Sequence, residues 1–275
     1  MKNSDKYVLF LLGITCLLMT PWEVCAVEKV TVGTEGAYAP FNYVDKDGNA
    51  DGFNVAVMKA ADELLPDVKF VFEPTEWTAI FVALESGRYD IIATNLNKNA
   101  EREVKYLFSE LPYMYSTNVI AFKSGRTDIR STQDLHGKTV TASLGSTYTA
   151  WLEKYNAENG NLITISYSDG DFSKMLLELV TGRADALLGS AVAINLLAKE
   201  QNIPIDSVPW KEKEREPTFV LFAKNTNGER LKKLVDPALE TLLKNGTLAE
   251  LSKKYLGADY SSEKTDKVRI HGENF

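Results

Sequence analysis

The chain has 275 residues, of which 44 % are hydrophobic, 25 % charged and 10 % aromatic, and 31 Lys+Arg against 38 Asp+Glu give a net charge of -7. These are globular values with room for one or two domains, and an acidic chain without a Lys/Arg run lacks the basic footprint of a nucleic-acid binder. Two Cys and two His supply zinc centres and Cys-His catalysis poorly, and neither a cofactor nor a metal is called for.

Lys2 and Lys6 precede an almost wholly apolar stretch over residues 7–19. It is short for a membrane span, which needs about 20 residues. Val24 and Ala26 put small residues three and one positions before a cut at Val27, the pattern of a signal peptide over 1–26. Both Cys16 and Cys25 fall inside it, so the exported chain would hold no disulfide and would rely on its core. The residues before each Cys fit a lipoprotein site badly, and no later segment is apolar enough to span a bilayer. The expectation is a soluble, exported protein.

Residues 30–32 read as a strand ending at Gly33, and 45–49 (Asp-Lys-Asp-Gly-Asn) as a hairpin turn. Residues 55–65 read as a helix stopped at Pro66, followed by a strand over 68–72. Trp77, Ile80, Phe81 and Leu84 give helical spacing up to Gly87, and 90–93 is a buried strand. Strands alternating with helices indicate an α/β sheet. Leu84-Glu85-Ser86-Gly87-Arg88-Tyr89-Asp90 is echoed by Leu179-Val180-Thr181-Gly182-Arg183-Ala184-Asp185. That echo has two readings, a common helix-to-strand turn or two similarly built lobes. The strand-like runs 118–123 and 218–224 flank the second copy. If both cross between lobes, the first lobe is 27–121 with 218–257, the second is 122–217, and 258–275 is a loose polar tail. The chain then closes with helices over 231–244 and 248–255. Double crossings suit hinge closure on a ligand.

In open α/β sheets, ligands bind beyond the carboxyl ends of strands. The segments found there are Gly33-Thr34-Glu35-Gly36-Ala37-Tyr38, Thr94-Asn95-Leu96-Asn97 with Arg102 beyond it, Ser143-Leu144-Gly145-Ser146-Thr147-Tyr148, and Gly189-Ser190. Small hydroxyls, amides, one Arg and nearby aromatics suit a small zwitterion. A carboxylate fits the planar fork of Arg102 and the N–H groups of a helix opening at Ser146-Thr147. Tyr38 and Trp77 fit the walls of such a pocket. Singly, each has a plainer reading: Arg102 as a surface partner of Glu101 or Glu103, Tyr38 and Trp77 as core, Ser146 as an N-cap.

In sequence, Gly33-Thr34-Glu35-Gly36-Ala37-Tyr38-Ala39-Pro40-Phe41, Asp51-Gly52-Phe53, Gly87-Arg88-Tyr89-Asp90, Glu101-Arg102, Phe108-Ser109-x-x-Pro112-Tyr113, Asp134-Leu135-x-Gly137-Lys138 and Gly182-Arg183-Ala184-Asp185 resemble the periplasmic solute-binding proteins of the polar amino-acid ABC transporter family (family 3), over about 28–257. The resemblance implies a type II two-lobed α/β fold with two crossover hinge strands. It implies a periplasmic monomer that closes around one amino acid and delivers it to a membrane permease, not an enzyme. Arg102 would grip the ligand α-carboxylate, and Thr94, Asn95 and Asn97 would touch its α-amino and carboxylate groups. Ser146 and Thr147 would supply contacts from the second lobe, Tyr38 and Trp77 the walls, and Glu35 would read the side chain. Glu76-Trp77-Thr78-Ala79-Ile80-Phe81, Asn95-x-Asn97-x-Asn99 and Glu101-Arg102-x-x-Lys105-Tyr106 look most like the cystine-binding subgroup, whereas Glu35 points to a basic amino acid or an opine.

Two positions depart from the family pattern. Ser190 stands where an acid usually pairs with the ligand ammonium, so either Glu35 takes over that group or the ligand amine is substituted. Asn54 and Ala56 stand where acids are common, at a helix start, where a structural role is expected. An enzyme is the rival class, since some dehydratases resemble this scaffold. Glu35 would be its acid or base, because His136 lies in a turn and His271 in the tail. A sensory module is a further rival, but it would continue into membrane and signalling segments that are not legible here.

Overall fold

A computed structural model describes residues 27–210 and 215–263. The export segment expected over 1–26, with Cys16 and Cys25, lies outside the described residues, as does the 264–275 part of the tail with His271.

The chain runs β1 (Glu28–Glu35), β2 (Ala37–Tyr38), β3 (Asn42–Val44), β4 (Ala50–Asp51), α1 (Phe53–Asp62), β5 (Val68–Thr75), α2 (Trp77–Glu85), β6 (Ile91–Leu96), α3 (Ala100–Lys105), β7 (Tyr106–Phe108) and β8 (Met114–Lys123). A 3-10 turn at Thr132–Leu135 leads to β9 (Thr139–Ser143), α4 (Thr147–Asn159), β10 (Thr164–Ser168), α5 (Phe172–Thr181), β11 (Ala186–Ser190), α6 (Ala191–Glu200) and β12 (Ile205–Pro209). β13 (Arg215–Ala223) then returns the chain to α7 (Thr226–Lys244) and α8 (Thr247–Leu256).

The strand order is β10-β9-β11-β8-β13-β6-β1-β5. It divides into two halves of the same construction. β5, β1 and β6 are parallel and are bordered by antiparallel β13; β10, β9 and β11 are parallel and are bordered by antiparallel β8. β8 and β13 pair with each other between the halves, Thr117 opposite Arg215 through Met114 opposite Thr218. The result is a two-lobed α/β fold whose lobes share two crossing strands. Asn118 to Ala121, expected to stay with the first lobe, pair instead with β11 and β12. The start of the expected loose tail is also held down: Tyr260 accepts at its carbonyl from the Tyr115 N–H and donates its own N–H to Ser252 Oγ.

The repeated Gly-Arg-x-Asp segments do the same job twice. Gly87 and Gly182 take φ of 75° and 73° just after α2 and α5, a left-handed turn that glycine adopts without steric cost. The next strand then begins with an Asp that clamps its neighbour at two points. The Asp90 carboxylate accepts from the Thr31 N–H at 2.8 Å while its own N–H donates to the Thr31 carbonyl. Asp185 repeats both bonds on Thr139, with 2.9 Å for the carboxylate contact.

Each lobe buries both faces of its sheet. Val30, Val32, Phe53, Val57, Val235 and Leu239 fill the face under α1 and α7; Ile80, Leu84, Ile92, Phe219 and Leu221 fill the face under α2. Ile120, Val140, Leu152, Leu188 and Trp210 pack under α4. At Gly33 a Cβ would sit 2.3 Å from the Tyr89 ring, so only glycine lets β1 lie this close to that side chain.

Candidate functional site

The carboxyl ends of β1 and β6 face those of β9 and β10 across the gap between the lobes. A narrow cavity lies there, with about 490 Å³ of empty space once the open solvent at its mouth is included. Glu35, Tyr38, Trp77, Asn95, Asn97 and Arg102 line it from the first lobe. Ser143, Ser146, Thr147, Tyr148, Gly170 and Phe172 line it from the second.

Arg102 sits on the short α3, which Asn99 caps by accepting the Arg102 N–H at 2.8 Å. The side chain is only 6 % exposed. Its guanidinium donates to the Asn97 carbonyl at 3.1 Å and, across the gap, to the Gly145 carbonyl at 3.2 Å. Its carbon lies 5.6 Å from the Trp77 ring centre and 5.2 Å from that of Phe81, two residues one turn apart on α2. Burial pulls its pKa down to about 10, only partly opposed by Glu101, Tyr106 and Glu35. Among the described residues it forms no ion pair. A buried cation that is bonded to carbonyls and rings, with Glu101 and Glu35 nearby but unpaired with it, is incompletely compensated and attracts an anion.

Glu35, at the end of β1, is 7 % exposed. Burial pushes its carboxyl up to about 7, while the hydroxyl of Thr94, which donates to Oε2, works in the opposite direction. Glu76 adds a smaller upward push and Arg102 a smaller downward pull. Burial also raises the Tyr38 phenol, which leaves it a neutral donor at ordinary pH.

Asn95 on β6 and Asn97 just past its end are two residues apart, and both line the cavity. Both are tied to β13: Asn95 Oδ1 accepts from Thr218 Oγ1 at 2.7 Å and Asn97 Nδ2 donates to the Pro217 carbonyl at 2.8 Å. On the second lobe, Ser146 caps α4 by accepting the Thr149 N–H at 3.1 Å. The next amides of that helix, at Thr147 and Tyr148, have no acceptor within it, and the helix N-terminus bears partial positive charge beside the cavity. The Tyr148 hydroxyl donates to Asn118 Oδ1 at 2.8 Å.

The lobes touch around the cavity. Trp77 Nε1 donates to the Leu144 carbonyl at 2.7 Å, and the rings of Tyr38 and Phe172 lie 5.0 Å apart. Gly170 takes φ of 105°, and a Cβ there would come within 2.9 Å of Trp77 Cβ.

Of the site residues expected from the sequence, Glu35, Tyr38, Trp77, Asn95, Asn97, Arg102, Ser146 and Thr147 come together at this cavity. Thr94 does not reach it. Its side chain is fully buried behind Glu35, bonded to Glu35 and Asn42. Ser190 does not reach it either: it ends β11 opposite Asn118, fully buried, with its hydroxyl unpartnered among the described residues. Asn54 is also fully buried near the start of α1, away from the cavity. Ser143, Tyr148, Gly170 and Phe172 were not singled out. Ser143 and Tyr148 flank Ser146-Thr147, and β9's end already pointed to them. Gly170 and Phe172 follow β10, whose alternating Thr-Ile-Ser-Tyr-Ser carries the period of a half-buried strand and is the signal that leads to them.

The L-cystine-binding protein TcyJ of Bacillus subtilis (strain 168) is 33 % identical over 240 residues, covering 87 % of this chain and 88 % of that protein. A solved structure from work on glutathione import in Gram-positive bacteria via GshT and the cystine ABC importer TcyBC of Streptococcus mutans superposes with a TM-score of 0.80 at 29 % identity, covering 86 % of this chain and 97 % of that one. The ancestral amino acid-binding protein AncCDT-1, a precursor of cyclohexadienyl dehydratase, superposes with a TM-score of 0.71 at 29 % identity over 83 % of this chain and 95 % of its own. A sequence model of the bacterial extracellular solute-binding proteins, family 3, matches residues 30–258, and this chain belongs to that family.

Proposed function

We propose that this protein is the amino-acid-binding component of an ABC importer, working outside the cytoplasm as a monomer and handing its ligand to a membrane permease. The observation that carries this reading is Arg102: a buried guanidinium without an ionic partner among the described residues, lining a cavity between the two lobes. A ligand carboxylate supplies the missing anion, shared with the amides that open α4. Tyr38, Trp77, Asn95, Asn97, Ser146 and Thr147 complete the enclosure. Thr94 acts from behind it, through its bond to Glu35. Export through a signal peptide over 1–26 and a periplasmic location belong to the same reading. The lobes are taken to divide near 117/118 and 218/219, where β8 and β13 each change ladder partner.

Glu35 narrows the ligand. A buried acid opposite Arg102 suits a ligand that carries a cation as well as its α-carboxylate. Cystine meets this with its two ammonium groups, and the likeness to TcyJ supports it. A basic amino acid or an opine meets it too. Native mass spectrometry of freshly purified protein, followed by calorimetry with L-cystine, L-arginine and glutathione, tests the reading. Retention of an amino acid recovered intact supports it. Turnover of the retained molecule favours an enzyme on this scaffold, for which the likeness to AncCDT-1 is the one argument. Retention of no carboxylate-bearing molecule, with no heat from any probe, overturns it.

A further inference from the structure

Behind the cavity wall runs a short chain of hydrogen bonds with a fixed direction. Asn42, on β3, is fully buried and donates from Nδ2 to Thr94 Oγ1 at 2.8 Å. Thr94, on β6, is equally buried, and its hydroxyl donates to Glu35 Oε2. Tyr113 fixes the Thr94 backbone by donating its hydroxyl to the Thr94 carbonyl at 2.9 Å. A hydroxyl has one proton. Its oxygen has two acceptor sites; the Asn42 amide occupies one and polarises the O–H, which makes Thr94 a better donor to a carboxylate Oε2 than an acceptor from a protonated one. The Asn42 amide oxygen is buried without a partner among the described residues, so the side chain is held by its donor end alone.

We propose that Asn42 is a positioning residue for the pocket: acting through the Thr94 hydroxyl, it holds Glu35 in the ionised form that receives a cationic group of the ligand. This rests on the reading of Glu35 as the pocket's cation acceptor. Without the Asn42 donor, the Thr94 hydroxyl is a weaker donor to the carboxylate and a freer acceptor from a neutral Glu35, which favours the acid form. The other groups facing Glu35 do not replace this control. Arg102 favours the carboxylate and Glu76, at the N-cap of α2, opposes it. Tyr38 and Tyr113 are phenols raised by burial and stay neutral. Burial raises the carboxyl most, and with the Thr94 hydrogen bond, Glu76 and Arg102 included it stands at about 7, where a modest change decides its charge.

Carbon-13 NMR of the ligand-free protein, labelled at glutamate carboxyls, tests this, with Glu35→Gln identifying the Glu35 signal. In the wild type that signal titrates with a midpoint of about 7. Thr94→Val raises the midpoint by about one pH unit and Asn42→Leu by about half a unit. In a Thr94→Val background Asn42→Leu adds nothing, as a residue acting through Thr94 requires. Circular dichroism checks folding, and Asn42→Ala takes the place of the leucine variant if that one does not fold. A midpoint that does not move in the folded Asn42 variant overturns the proposal, and so does a shift that persists in the Thr94→Val background. No ligand is added, so this result stands apart from the binding tests of the pocket.

Discussion

The indole N–H of Trp77, at the start of α2, donates to the backbone carbonyl of Leu144 across the gap at 2.7 Å. Leu144 follows β9, so the bond joins the two lobes and exists only when they meet. Trp77→Phe keeps an aromatic wall and removes that one donor. A neutral hydrogen bond contributes about 1 kcal/mol net, so affinity for the retained amino acid falls about fivefold. The loss belongs to the dissociation rate, because the bond forms after encounter. Stopped-flow release kinetics check this; an unchanged off-rate removes Trp77 from the closure contacts.

Arg102 is argued to be the anion receptor. Arg102→Ala removes it, and truncating one member of a buried charge pair costs about 2–5 kcal/mol, which is a loss of at least about 30-fold in affinity. Arg102→Lys keeps the charge but loses the planar fork and its stacking on Trp77 and Phe81, and falls between the two. Calorimetry measures both. Binding of an amino acid by Arg102→Ala at wild-type affinity excludes the carboxylate role.

Glu35 makes the ligand-free protein sensitive to pH. Its folded-state pKa is raised from 4.5 to about 7 by burial. A raised value means that folding favours the protonated form. The associated stability is fully present below about 4.5 and is lost as pH rises through 7. The difference amounts to about 3 kcal/mol, or on the order of 10 °C in Tm for a chain of this size. Glu35→Gln carries no charge to bury, so its Tm exceeds the wild-type value at pH 8 and approaches it at pH 5. Thermal melts across that range decide it: parallel profiles show that Glu35 is ionised without strain.

The same residue separates ligands. If Glu35 receives a cation, Glu35→Gln weakens a cationic ligand by about tenfold or more, since a hydrogen bond to a charged group contributes about 1.5–3 kcal/mol. A ligand with a neutral side chain loses far less. Calorimetry with L-arginine and L-glutamine on both proteins compares them, and equal losses assign Glu35 to the α-ammonium, which both share.

Much of this architecture is legible in the sequence because it rests on local rules. The Gly-Arg-x-Asp echo is visible since both Asp90 and Asp185 must clamp a neighbouring strand after a left-handed turn. Trp77, Phe81 and Arg102 are visible through helical spacing and motif order. What escapes is side-chain direction. Thr94 and Asn95 are adjacent in sequence, yet a strand turns them to opposite sides, so one meets the cavity and the other meets Asn42. Ser190 occupies the right strand end but lies behind the wall. Phe172 is missed for another reason: it opens the helix after a short strand, Thr164–Ser168, whose alternation is legible but spans only five residues. Asn42 is missed because its partner is 52 residues away in sequence.

Gly170 offers a steric test of closure. It lies between β10 and α5, and a methyl group there would meet Trp77 Cβ at 2.9 Å, closer than such atoms pack. The positive φ of Gly170 strains any other residue, but that cost is local and falls on the open and closed forms alike. The clash with Trp77 falls on the closed form alone. Gly170→Ala therefore lowers Tm modestly and lowers affinity by about tenfold, at the lower end of the 1–3 kcal/mol typical of overpacking. In a Trp77→Gly background both the Cβ and the ring that obstruct the approach are gone, and most of the affinity loss from Gly170→Ala disappears. A double-mutant cycle by calorimetry reads this directly. If the two losses are additive, Gly170 and Trp77 do not meet in the ligand-bound state, and the lobes close along another line.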